Sequence, residues 1–97
     1  MTKVIVRMSS GIAYYLFPYG DTYVSQDPNR LDDDQLIESL TYYDGEVGDN
    51  FVSINNKQVE KIVRVDFLNG AAVDCSKGLL SVELNTRNIV SVEKSEG

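Results

Sequence analysis

Histidine is absent from the 97-residue sequence, and cysteine occurs only once, as Cys75. Without histidine, Ser-His-Asp and Cys-His catalytic arrangements are excluded, and so are most zinc sites. A single cysteine excludes an internal disulfide, a CxxC redox pair and a zinc ribbon. The nucleotide-binding patterns GxxxxGKS/T and GxGxxG are also missing. The commonest enzymatic chemistries are thereby removed, and carboxylates remain as the main candidate reactive groups.

Long apolar runs are lacking too. The longest, at residues 12–17, has six residues, whereas a membrane-spanning helix needs roughly 20. Near the N-terminus, Lys3 and three aliphatic residues are followed at once by Arg7, which does not fit a secretory signal peptide. With a lone thiol and this length, we expect a cytoplasmic protein with a single domain over residues 1–97.

Negative charge is distributed very unevenly. The chain carries a net charge of −6, with a pI of about 4.4. Residues 21–49, called here the acidic segment, hold nine acids and one base, Arg30, so they carry −8 while the remainder carries +2. Such an asymmetry bears on association and steering. It disfavours direct binding to nucleic acid or anionic lipid, which requires a basic surface.

The pattern of apolar residues predicts a β-rich α+β domain. Strands are predicted at residues 3–8, 12–19, 51–54, 59–68, 71–75, 79–84 and 89–94. Pro18 would weaken pairing near the end of the second strand and suggests an edge strand. Asn69-Gly70 predicts a hairpin with a type I′ turn. We expect an antiparallel sheet or small open barrel of five to seven strands.

One short helix is predicted near residues 32–42. Asp32 is the expected N-cap, and Gln35 completes a variant of the capping box. Leu31 and Leu36 occupy the positions of a hydrophobic staple. The expected core residues of the domain are Val4, Val6, Ile12, Leu16, Leu36, Leu40, Phe51, Ile54, Ile62, Val65, Phe67, Val73, Leu80, Val82, Leu84, Ile89 and Val92.

A weak internal similarity relates residues 54–59 to residues 84–89. Both stretches read apolar, Asn, any residue, basic, amide, apolar. One interpretation is two similar β-turns, each between two strands. The other is a duplicated β-unit or a pseudo-symmetric sheet.

The acidic segment has three interpretations. Metal binding by the run at residues 32–34 is disfavoured, because consecutive helical residues point in different directions. Residues 44–49 lack the register of a calcium loop. We therefore expect no metal, no cofactor and no catalytic residue. A solvated face that keeps the protein soluble is the second interpretation.

The third interpretation is a partner-binding surface. Double-stranded DNA carries one negative charge per ~1.7 Å of its axis, and carboxylates on a short helix and its flanks would approach that density. Tyrosines beside the acids suit an interface, because tyrosine is enriched in interface cores. The candidate partner-binding residues are Asp21, Asp27, Asp32, Asp33, Asp34, Glu38, Tyr42, Tyr43, Asp44, Glu46 and Asp49.

In size, low pI, lack of histidine and the tyrosine-bearing acidic segment, the chain resembles the small acidic proteins that bacteriophages make early in infection to disable host DNA-binding proteins. Some of these mimic DNA and block histone-like nucleoid proteins such as HU. The resemblance implies a non-enzymatic inhibitor in the host cytoplasm, with a basic DNA-binding protein as partner. An open sheet edge also suggests a homodimer. The alternatives are a structural or assembly β-module and a small metal-dependent enzyme.

Overall fold

A computed structural model describes residues 2–20, 27–41, 51–75 and 81–96 of the chain. Within these residues, seven strands form two antiparallel sheets accompanied by one helix, which confirms the predicted fold class. In chain order the elements are β1 (Thr2–Met8), β2 (Ile12–Phe17), α1 (Asp33–Thr41), β3 (Phe51–Asn55), β4 (Lys61–Asp66), β5 (Ala71–Asp74), β6 (Ser81–Asn85), a 3₁₀ turn (Thr86–Asn88) and β7 (Ile89–Glu96).

The large sheet has the strand order β5-β4-β2-β1-β7, and the small sheet pairs β3 with β6. All strand pairs are antiparallel. The prediction that the second strand is an edge strand is wrong, because β2 pairs with both β1 and β4. Pro18 lies just beyond Phe17, the last residue of β2, so its missing N–H removes nothing from the ladder.

One face of the large sheet, called here the inner face, carries the core. Val4 is paired with Leu16, which is paired with Ile62, and these three side chains are fully buried. α1 packs against β1 and β7 on this side. The buried cluster consists of Val4, Val6, Leu16, Leu36, Leu40, Ile54, Val59, Ile62 and Leu84. Each such aliphatic side chain contributes about 1.5–3 kcal/mol on burial.

Eight of the 17 expected core residues are confirmed as buried. The residues buried as expected are Val4, Val6, Leu16, Leu36, Leu40, Ile54, Ile62 and Leu84. Those only half-buried are Ile12, Val65, Val82, Ile89 and Val92. The Phe51 side chain and Leu80 lie outside the described residues.

Two core predictions are wrong. Phe67 is 53% exposed because β4 ends at Asp66 and Phe67 lies in the following turn. Val73 is 52% exposed because it lies on β5, an end strand of the sheet whose four residues are all exposed. Three buried residues were not anticipated, namely Ile5, Ala13 and Val59.

The opposite, outer face of the large sheet carries cations and aromatic rings. The cations lie over the ring centroids in three pairs: Lys3 over Tyr15 at 5.2 Å, Arg7 over Phe67 at 5.9 Å and Lys61 over Phe17 at 5.7 Å. Ile5, which is paired with Tyr15 on this face, is only 8% exposed. The aliphatic stems of long cationic side chains shield apolar surface while their charges reach water.

The β4–β5 hairpin is confirmed, but its predicted type I′ turn is wrong. A type I′ turn needs positive φ at two successive positions, and here Gly70 has a φ of 73° whereas Asn69 has no positive φ. The turn spans four residues, 67–70, and the Gly70 N–H donates to the Asp66 carbonyl at 2.8 Å. In the β1–β2 turn, Gly11 also has a positive φ, of 86°.

The internal similarity corresponds to a pseudo-twofold arrangement of strands. A shift of 30 residues relates β3 to β6 and β4 to β7, and a shift of 10 relates β1 to β2. Moving Ile5 forward by 10 positions gives Tyr15, and moving its partner Glu93 back by 30 gives Val63, which is the partner of Tyr15. In the small sheet, the 30-residue shift exchanges β3 and β6, and each pair of residues again falls on a pair. The register therefore favours the pseudo-symmetric sheet over two merely similar turns.

The turns that carry the similarity have related hydrogen bonds. The Asn55 side-chain oxygen accepts from the backbone N–H of Lys57 at 2.9 Å. The Asn85 side-chain oxygen accepts from the N–H of Arg87 at 3.0 Å. In each case an asparagine at the end of a strand of the small sheet directs the chain into a strand of the large sheet.

Backbone conformation gives a first prediction. Gly70→Ala should lower the free energy of unfolding by about 1–2 kcal/mol, because an alanine in the left-handed region is strained even though its methyl group would meet open space. Gly20→Ala is the matched control, since that site is equally open and has no positive φ. Urea denaturation of both variants tests this. Equal midpoints for the two variants would contradict the strain at Gly70.

Candidate functional site

Five of the predicted partner-binding residues lie in the described part of the chain. They are Asp27, Asp32, Asp33, Asp34 and Glu38. The predicted residues that lie outside the described residues are Asp21, Tyr42, Tyr43, Asp44, Glu46 and Asp49. These five residues lie on α1 and in the segment just before it.

Asp32 caps the helix. Its carboxylate accepts from the Gln35 N–H at 2.8 Å, and the Gln35 side-chain oxygen accepts from the Asp32 N–H at 3.0 Å. These reciprocal bonds confirm the predicted capping box. Leu36 is fully buried, and Leu31 packs against the same cluster, as the predicted staple requires. The Asp32 carboxylate thus has a structural role.

Asp27 shapes the turn that leads to α1. Its carboxylate accepts from the Asn29 backbone N–H at 2.9 Å, and its carbonyl accepts from the Arg30 N–H at 3.1 Å. Arg30, the one base of the acidic segment, lies over the ring of Tyr19 at 4.6 Å from its centroid. Asp27 is half-buried and belongs to the local backbone structure.

Asp33 forms an ion pair with Lys94 of β7, with 2.8 Å between the carboxylate oxygen and Nζ. The hydrogen bond from Lys94 lowers the pKa of Asp33 below its ordinary value, and the same bond raises the pKa of Lys94. This pair ties the first turn of α1 to an end strand of the large sheet. It also offsets one of the negative charges counted in the sequence. The pairing was not predicted, because 61 positions separate the partners along the chain.

The side chains of Asp34 and Glu38 take no part in the helix cap or in the ion pair with Lys94. Both side chains are exposed, and neither forms an ion pair with any residue that the structure describes. They lie four positions apart, so they project from the same side of α1, and two like charges in this relation repel by about 0.2–0.5 kcal/mol. α1 has no basic residue in its last turn. The solvent face of α1 therefore displays two carboxylates that form no ion pair with any described residue.

The helix that carries these carboxylates is firmly placed. Leu36 and Leu40 are buried in the core on the opposite side of α1, and the capping box fixes the first turn. A fixed helix presents charges without the entropy that a mobile segment would lose on binding.

Other reactive groups are sparse in the described ranges. No three acids or cysteines there are arranged to hold a metal ion. Cys75 is half-buried, with its sulfur 3.6 Å from the Val73 carbonyl. Among the described residues, no helix has the length and apolar character that crossing a membrane requires.

Comparison with known proteins assigns no family. No protein-family model matches the sequence, and no similar chain was found among curated proteins or solved structures.

The capping box gives a second prediction. Asp32→Ala removes the acceptor for the Gln35 N–H and should lower the free energy of unfolding by about 0.5–2 kcal/mol, whereas Asp32→Asn keeps an acceptor and should cost much less. Thermal melts followed by circular dichroism measure both. If the two variants melt at the same temperature, the Asp32 cap does not stabilise α1.

The Asp33–Lys94 pair gives a third prediction. Asp33→Asn should lower Tm by about 1–4 °C near neutral pH, because an exposed ion pair stabilises a domain of this size modestly. A carboxyl group whose pKa is lowered on folding contributes stability above its unfolded pKa of about 3.9, and loses it as pH falls through the lowered value. The difference in Tm should therefore shrink as the pH falls below about 3.9 and disappear once Asp33 is protonated in the folded protein.

Glu38→Gln is the control for this pH series. It removes the same charge from the same helix, at a position with no ion pair among the described residues. A Tm difference for Asp33→Asn that stays constant down to the acid limit would show that the pair with Lys94 does not stabilise the fold.

Proposed function

We propose that this protein is a non-enzymatic inhibitor that uses its acidic segment to bind a basic DNA-binding protein and to compete with DNA. The observation that carries the proposal is the exposed pair Asp34 and Glu38, which form no ion pair with any described residue, on a helix that is anchored on its other side. A histone-like nucleoid protein of a bacterial host is the partner class that the resemblance to phage proteins favours.

Charge complementarity is the physical basis of the proposal. Anionic groups displayed from a fixed helix would steer a basic partner through long-range attraction and raise the rate of encounter. Asp34 lies in the first turn of α1, where the helix dipole favours an acid, but Glu38 lies beyond that turn and its repulsion from Asp34 costs α1 some stability. A cationic partner surface would be attracted to both carboxylates.

Acids that are engaged within the fold reduce the number of carboxylates in the acidic segment that can bind a partner. Asp32 and Asp27 are engaged with backbone N–H groups, and Lys94 offsets the charge of Asp33. Within the described part of the acidic segment, the carboxylates that make no such contact are therefore Asp34 and Glu38. Substitutions at these two positions change the surface while leaving the cap and the ion pair intact.

Competition with DNA gives the fourth prediction. The full chain should displace labelled duplex DNA from a purified bacterial histone-like protein, measured by fluorescence anisotropy. The double variant Asp34→Asn/Glu38→Gln should weaken this competition by about 0.2–1 kcal/mol per charge removed. Raising the salt concentration should weaken the wild-type interaction further, because the screening length falls from ~10 Å at 0.1 M to ~3 Å at 1 M.

The matched control for this competition is the double variant Glu60→Gln/Glu83→Gln. It removes the same charge from two other exposed positions, one just before β4 and one on β6. The control should compete as the wild type does. If both double variants weaken the competition equally, net charge alone explains the effect and the position of Asp34 and Glu38 does not matter. If the wild type does not compete with DNA, the proposed inhibition of DNA binding is wrong.

A structural or assembly module is the second candidate. It is favoured by β5, an end strand of the large sheet whose four residues are all exposed and whose outer edge pairs with no described strand. An exposed edge is a template for strand addition from another chain. Such a module would bind normally after substitution of Asp34 and Glu38, but would lose binding when Ala72→Pro disrupts the edge.

A further inference from the structure

The two pseudo-symmetric halves of the large sheet are covered differently. In the half built on β1 and β7, α1 packs across the inner face. In the other half, built on β2 and β4, the chain instead forms β5, which extends the edge of the sheet. Among the described residues, no helix lies where the pseudo-twofold relation would place a counterpart of α1.

Each half of the large sheet carries a cation at an equivalent position of the strand register. The shifts that relate the strands map the pair Val4–Lys94 onto the pair Tyr14–Arg64. Lys94 holds Asp33 in the first turn of α1. Arg64, in the equivalent position, is exposed and forms no ion pair with any residue that the structure describes. The surface therefore offers a second cation in the position from which Lys94 binds a helical carboxylate.

Apolar groups flank this cation along one row of the sheet. Tyr14 and Val73 are the strand partners of Arg64 on its two sides, so the three side chains lie on the same face. Tyr14 is half-buried against the core, whereas Val73 is 52% exposed. A cation between an aromatic ring and an exposed aliphatic side chain suits a ligand with a carboxylate beside an apolar stripe.

We propose that the row formed by Tyr14, Arg64 and Val73 binds an amphipathic helix of a partner protein, with a carboxylate in the first turn of that helix facing Arg64. The partner helix has the chemistry of α1, with an acid near its N-terminus and leucines on its buried side. The proposed helix belongs to another chain, because the one α-helix in the described part of this chain, α1, already occupies the β1–β7 side. The proposal is independent of the proposed inhibition of DNA binding.

A peptide added in trans tests the proposal. The probe is an acetylated peptide with the sequence of residues 31–41, titrated into the isotopically labelled full chain and followed by NMR chemical shifts. Saturable shifts are expected at the amides of Tyr14, Arg64 and Val73. Arg64→Glu in the full chain should raise the Kd roughly tenfold, and a peptide carrying Asp33→Lys should restore binding to that variant.

Lys3→Glu is the matched control, because Lys3 lies on the outer face of the same sheet and the reversal changes the charge equally. This variant should keep the Kd of the wild type within about twofold, because its charge is remote from the row. Val73→Asp, at an exposed position, should weaken binding as Arg64→Glu does. The proposal would be overturned if the shifts mapped to β1 and β7, if Arg64→Glu and Lys3→Glu weakened binding equally, or if the shifts failed to saturate.

Discussion

The inner face of the large sheet must be covered, and the rest of the fold depends on that constraint. Strand alternation places Val4, Val6, Leu16 and Ile62 on this face, and they are buried in one cluster with residues of α1 and the small sheet. A sheet with such a face is stable only when another layer removes it from water. α1 and the β3–β6 pair supply that layer, although α1 has only nine residues and would not form a stable helix alone.

The acidic residues of α1 and its cap fall into two groups. One group holds this short helix on the sheet, and the other is exposed to solvent. Asp32 caps α1, and Asp33 binds Lys94 of β7, so these carboxylates contribute to folding. Asp34 and Glu38 remain exposed on the solvent side of α1 and make no described ion pair. Counting charges along a sequence overstates a binding surface, because charges used within the fold are not available to a partner.

Local signals in the sequence predicted much of this structure, and long-range contacts explain what they missed. The Asp32–Gln35 capping box and the strand alternation of Val4, Val6 and Leu16 are local patterns, and they are confirmed. Pairing register, strand ends and cross-sheet ion pairs are long-range properties. Three features could therefore be recognised only from the folded structure. They are the central position of β2, the exposure of Phe67 and Val73, and the Asp33–Lys94 ion pair. The 30-residue similarity was visible in the sequence, but only the strand register distinguished a pseudo-symmetric sheet from two similar turns.

Native-state hydrogen exchange tests the central constraint most directly. If covering the inner face organises the fold, the slowest-exchanging amides lie in β1 and β2, with opening free energies equal to that of global unfolding. The buried amides of α1 then exchange at similar opening free energies, because separating the helix would uncover the inner face. Amides of β1 and β2 that exchange as fast as those of the turn at residues 67–70 would contradict this account.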